Sequence, residues 1–145
     1  MSKQDAGPRA PVALMISMLL LSLVPTVAAA EVALTAFPTA QTADPGSTAE
    51  YTINVRNDGE NEMTVQLSAS QGAECQGYTS TVEQVQGTIA EGEAEDVTLF
   101  VNLSANAAES CETTVSAVAN EVGGDPTPGQ ADVTVTTTRG DGGGG

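Results

Sequence analysis

Between Asp44 and Gly59 the chain reads Asp-Pro-Gly-Ser-Thr-Ala-Glu-Tyr-Thr-Ile-Asn-Val-Arg-Asn-Asp-Gly. A Pro-Gly turn leads into strict alternation, which stops at Asn57-Asp58-Gly59. Ala49, Tyr51, Ile53 and Val55 fall on one face; Glu50, Thr52, Asn54 and Arg56 fall on the other. Successive side chains of an extended strand point to opposite sides, so this pattern requires a strand with one face buried and one face wet. Turn residues at both ends make it a half-buried antiparallel strand.

The same grammar recurs along the chain. Short strands are expected at 32–37, 49–57, 63–70, 96–103, 112–119 and 131–137. Residues 78–90 hold one or two more, anchored by Val82, Val85 and Ile89, with Gly87 as a bulge or bend. Residues 38–48 read as an edge or loop that turns at Pro45-Gly46. No segment beyond residue 30 has helical periodicity. The expected fold is all-β: a seven-stranded, immunoglobulin-like antiparallel β-sandwich over 31–138. An N-terminal hydrophobic signal helix precedes it, and a disordered Gly-rich tail over 139–145 follows. Such a tail suggests a truncated gene or a tether. The aromatic side chains are Phe37, Tyr51, Tyr78 and Phe100, so the core rests on aliphatic residues, which bury less area each.

Residues 1–30 have a different character. Lys3 and Arg9 lie in a polar head, an apolar run extends from Val12 to Val27, and Ala28-Ala29-Ala30 closes the segment. A basic head, a short apolar stretch and an Ala-x-Ala site read as a secretory signal peptide cleaved after Ala30. The run is short for a membrane span, which needs about 20 apolar residues. Contact with a membrane is therefore expected only through this segment, if it stays uncleaved. The localisation implied is secreted or cell-surface.

Charge narrows the partners. The chain has 4 basic and 19 acidic residues. Without Lys3, Asp5 and Arg9, only Arg56 and Arg139 face 18 carboxylates, a formal charge of −16. Nucleic acid and anionic membrane surfaces both need Lys or Arg, so neither is an expected partner. Such self-repulsion suits a salty medium, where ions screen it. The acidity thus reads as halophilic adaptation.

The cysteines are Cys75 and Cys111. An even count in an oxidising compartment suggests one disulfide. In a seven-stranded sandwich the third and sixth strands lie side by side and antiparallel. Cys75 follows the end of the third and Cys111 precedes the sixth, so the topology brings them together. Closing a loop of about 36 residues contributes about 3–4 kcal/mol in the chain-entropy account. A redox or metal role has little support, because the chain has no CxxC and no histidine.

The series resembles sandwich domains of prokaryotic surface proteins and carbohydrate-active enzymes: the alpha-galactosidase-associated domain and the cell-adhesion-related domain of bacteria (CARDB). The residues that carry the likeness are Pro45-Gly46, the strand from Tyr51 to Asn57-Asp58-Gly59, the strand from Met63 to Ala69, and Glu91-Gly92-Glu93 before Val97–Leu103. Those families often have Pro-Gly where this chain has Glu91-Gly92. The resemblance implies an extracellular accessory, adhesion or spacer role, with an extracellular protein or cell-wall polymer as partner. It carries no site residues across.

Local motifs are few. Asn102-Leu103-Ser104 is an N-glycosylation sequon or a chance three-residue match. Glu91, Glu93, Glu95 and Asp96 cluster at one turn, where carboxylates could hold calcium or form a solvated loop. Arg139-Gly140-Asp141 spells an integrin-ligand tripeptide or an accidental string in the tail. No nucleophile–base pair stands out, and no cofactor motif is present, so no enzyme activity and no cofactor are expected. Two rival readings remain. A pilin-like filament subunit would retain Val12–Ala30 as a helix; Pro25 and the Ala-x-Ala site oppose that. A carbohydrate-binding module would need aromatic platforms, and tryptophan is absent.

Overall fold

Alternation in the sequence becomes burial in the computed structural model, which describes residues 30–141. Ala49, Tyr51, Ile53 and Val55 are each 3% exposed or less, while Glu50, Thr52 and Arg56 are exposed. The described residues form nine strands: β1 Val32–Phe37, β2 Ala40–Ala43, β3 Thr48–Asn57, β4 Met63–Gln71, β5 Tyr78–Val82, β6 Thr88–Ile89, β7 Ala94–Leu103, β8 Ser110–Glu121 and β9 Gly129–Arg139. One sheet has the order β1-β3-β7-β5 and the other β2-β9-β8-β4-β6. The inward residues of the two sheets meet in a single apolar layer, as in immunoglobulin-like sandwiches. The expected signal helix lies outside the described residues.

Two differences from the seven-strand expectation have local causes. At Pro38 the chain leaves the first sheet, since proline offers no N–H to continue a ladder. It re-enters the second sheet as β2, pairing with β9 from Ala40↔Thr136 to Ala43↔Arg139. That pair is parallel, so the sandwich is not purely antiparallel. The 78–90 region divides into β5 and the two-residue β6, which pairs with Met63 and Thr64 at the start of β4. Gly87 lies in the link between them at a bend, with φ of 75°, so the bend and not the bulge is what forms.

β4 and β8 are adjacent and antiparallel, with Met63 opposite Glu121 and Gln71 opposite Thr113. This register carries Cys75 to Cys111, and the two form a disulfide. Buried polar side chains are few and satisfied. Tyr51 reaches across the core from β3, and its phenol donates to the Thr136 carbonyl at 3.0 Å and shares a hydrogen bond with the Thr137 hydroxyl at 2.7 Å. This contact joins the two sheets. Asn57 ends β3 fully buried; its amide donates to the carbonyls of Asn61 and Ile89 and accepts from the Gly59 N–H, at 2.8–2.9 Å. Ala30, 4% exposed, lies against Gly129, where a side chain of any size would collide with the Ala30 carbonyl.

Candidate functional site

The disulfide organises one pole of the sandwich. Gly77 follows Cys75 with φ of 85°, and a Cβ there would sit 2.6 Å from the Ala107 Cα. Only glycine fits both constraints. The 104–109 segment is then tied down from three sides. Tyr78 donates its phenol proton to the Ala108 carbonyl, the Arg139 guanidinium donates to the Ala107 carbonyl, each at 2.8 Å, and the Arg139 N–H bonds the Glu109 carbonyl. Arg139 is therefore the last residue of β9 and not the start of a loose tail, and its side chain is committed to the fold. The tripeptide Arg139-Gly140-Asp141 begins inside a strand.

Next to the disulfide is an open recess of about 370 Å³, lined by Gly72, Ala73, Glu74, Cys75, Ser110, Cys111, Glu112 and Thr136. Its chemistry is a disulfide, two carboxylates and two hydroxyls. An imidazole that could activate a hydroxyl is missing from the sequence altogether.

The four calcium candidates do not converge. Among the described residues no three His, Cys, Asp or Glu side chains are grouped so as to hold a metal ion. Glu91 and Glu93 are exposed on the turn before β7. Glu95 and Asp96 are consecutive in β7, so their side chains leave on opposite faces. Each already has a protein donor: Glu95 accepts from the Gln86 N–H at 3.2 Å and Asp96 from the Asn54 amide at 2.8 Å. With Glu83, whose carboxylate accepts from the Thr98 N–H at 2.8 Å, they line a second recess of about 440 Å³. These carboxylates serve donors from β3, from β7 and from the link after β5.

Asn102 points outward and is exposed, as alternation requires. Its Oδ1 accepts the Thr48 hydroxyl proton at 2.5 Å. Phe100 lies on the same outer face, and Phe37 at the end of β1 is 79% exposed. The two tyrosines are inside. Burial pushes both phenols above their ordinary pKa; for Tyr51 the Thr137 hydrogen bond, and for Tyr78 the positive Arg139, oppose that rise in part.

Two structural pins leave little trace in the hydrophobic pattern of the sequence. The Gln84 side-chain amide imitates a strand, accepting from the Leu67 N–H at 3.0 Å and donating to the Leu67 carbonyl at 2.8 Å. It covers the edge of β4 that two-residue β6 leaves open. Asn57 read only as the last residue before a turn. Its position on the inward side of the β3 alternation was the available signal for burial.

No family model matches the sequence, nor does any curated protein. Similar solved structures include the ASH / PapD-like domain of human CEP192 (PapD-like domain 7), 10% identical, with a TM-score of 0.53 over 73% of this chain and 84% of that one. A FixG-related protein from Vibrio parahaemolyticus is 12% identical with a TM-score of 0.48, covering 78% of this chain and 98% of that chain. WR4, a C. elegans MSP family member, is 13% identical with a TM-score of 0.43, covering 74% and 97%. The likeness to the CEP192 domain shows an immunoglobulin-like β-sandwich. At this identity it speaks to fold alone.

Proposed function

We propose that this chain is a secreted or cell-surface module of non-catalytic type, acting as an adhesion or spacer domain in a salty extracellular medium. The alpha-galactosidase-associated and CARDB domains are the kind of module intended. The path of the chain is the observation that supports it most. The polypeptide enters at Ala30, against Gly129 at the start of β9, and leaves past Arg139 at the other end of the same strand. With 11 residues in β9, a partner bound at the Ala30 pole and a chain joined beyond Arg139 would be held about 35 Å apart. A rigid strand between entry and exit is what a spacer requires. The disulfide adds support for an oxidising location. Among the described residues no helix is long and apolar enough to cross a membrane.

Ala30 bears on where the leader would be removed. Cleavage after Ala30 would delete a core side chain, whereas cleavage after Ala29 keeps it. Intact-mass analysis of protein recovered from the medium, with and without thiol alkylation, tests the reading. A chain beginning at Ala30 or Glu31 with no alkylatable thiol is expected. A chain that retains residues 1–29 would overturn the secreted module and favour the filament alternative.

A further inference from the structure

Asn102 is the last outward residue of β7. In register it lies between Thr48 of β3 and Thr79 of β5, two short hydroxyl side chains that leave the space above it open. Its amide is held from one side. Oδ1 accepts from the Thr48 hydroxyl at 2.5 Å, while Nδ2 reaches the Thr79 hydroxyl only at 3.5 Å, too long for a firm hydrogen bond. The nitrogen is the loosely held end. Two residues earlier on the same face is Phe100, partly exposed, at the strand repeat of about 7 Å. Ser104, which completes the sequon, is exposed in the turn after β7.

We propose that Asn102 is an N-glycosylation site, and that the Phe100 ring is the platform on which the first sugar rests. The donor is an oligosaccharide joined through C1 to a lipid phosphate or pyrophosphate. The Asn102 Nδ2 forms a bond to C1 as the C1–O bond to the phosphate breaks. The lipid phosphate leaves with that electron pair, and the amide gives up one proton. One N–H and Oδ1 remain, so the hydrogen bond from Thr48 survives. Leu103 is buried and its N–H is bonded to the Ser47 carbonyl, so transfer precedes closure of this end of the sheet. The finished fold then accepts the product, because Asn102 faces solvent. A sugar has one face of C–H bonds, and an aromatic ring beneath it removes apolar surface from water on both sides.

This proposal rests on the secreted reading. The test uses the full-length protein isolated from the medium of its own cells, mapped by peptide mass before and after treatment with an asparagine-glycan amidase. The expected result is a glycan on the Asn102 peptide, conversion of Asn102 to Asp by the amidase, and loss of the adduct in both Asn102→Gln and Ser104→Ala. In molar salt, which screens the carboxylate that the amidase creates at position 102, the glycosylated form should melt higher than the amidase-treated form, and Phe100→Ser should abolish that difference while leaving the glycan in place. A processed chain with bare Asn102 overturns the site and leaves secretion standing. A chain that keeps its leader and lacks the glycan overturns both. A glycan whose melting shift is unchanged in Phe100→Ser overturns the platform.

Discussion

Asn57 closes three hydrogen bonds with one side chain, tying the end of β3 to the 57–61 turn and to Ile89 in β6. Asn57→Ala leaves two carbonyls and an N–H without that partner in a dry site, so it should cost about 3 kcal/mol, measured by urea unfolding. Tyr51 makes a different prediction. Its phenol ionises near 10.0 in an unfolded chain but resists ionisation in the core. The raised folded value means that its contribution is whole below pH 10 and is lost as pH rises through that value. Unfolding free energy should therefore fall in strong alkali, and Tyr51→Phe should make that fall shallower. The same variant should be less stable at neutral pH by about 1–2 kcal/mol, because the Thr137 hydroxyl loses its inter-sheet partner.

At the scale of elements, legibility followed the source of each strand's stability. β3, β4, β7 and β8 carry their own alternation, and the structure extends each by only one or two residues at an end, as it does β9. The β4–β8 neighbourhood, and with it the cysteine pair, was derivable from strand order alone. β2 and β6 were not. Ala40-Gln41-Thr42-Ala43 has no large apolar side chain, and its pairing with β9 comes from tertiary placement after the crossover at Pro38. Thr88–Ile89 is too short to show any period. The acidic turn misled for a related reason: proximity in sequence did not become convergence, because adjacent strand positions diverge. The disulfide supports the pole where Gly77, Tyr78, Ala107 and Arg139 meet. The paired variant Cys75→Ala with Cys111→Ala should lose about 3–4 kcal/mol relative to the bonded protein, read from denaturant midpoints.

For the whole molecule, electrostatics is unbalanced. Among the described residues one ion pair is present, Arg56 with Asp58 at 2.8 Å, and it is exposed. The remaining carboxylates repel one another across a surface with almost no cations, and that repulsion is stronger in the folded state because the charges are closer. Added salt shortens its range from about 30 Å at 0.01 M to about 3 Å at 1 M. Melting temperature should accordingly rise steadily from millimolar to molar sodium chloride, and a flat or falling profile in calorimetry would remove the halophilic reading. The fold itself does not depend on that outcome, since its core is assembled from the aliphatic faces of the two sheets.

The spacer proposal depends most directly on where the chain enters and leaves. Spin labels attached through non-natural side chains at Glu31 and Asp141 would leave the Cys75–Cys111 bond intact. Pulsed dipolar spectroscopy should then give a single narrow distance of about 35 Å, the length of β9. A distance of about 15 Å or less, a few strand spacings, would put both ends at one pole and contradict the spacer.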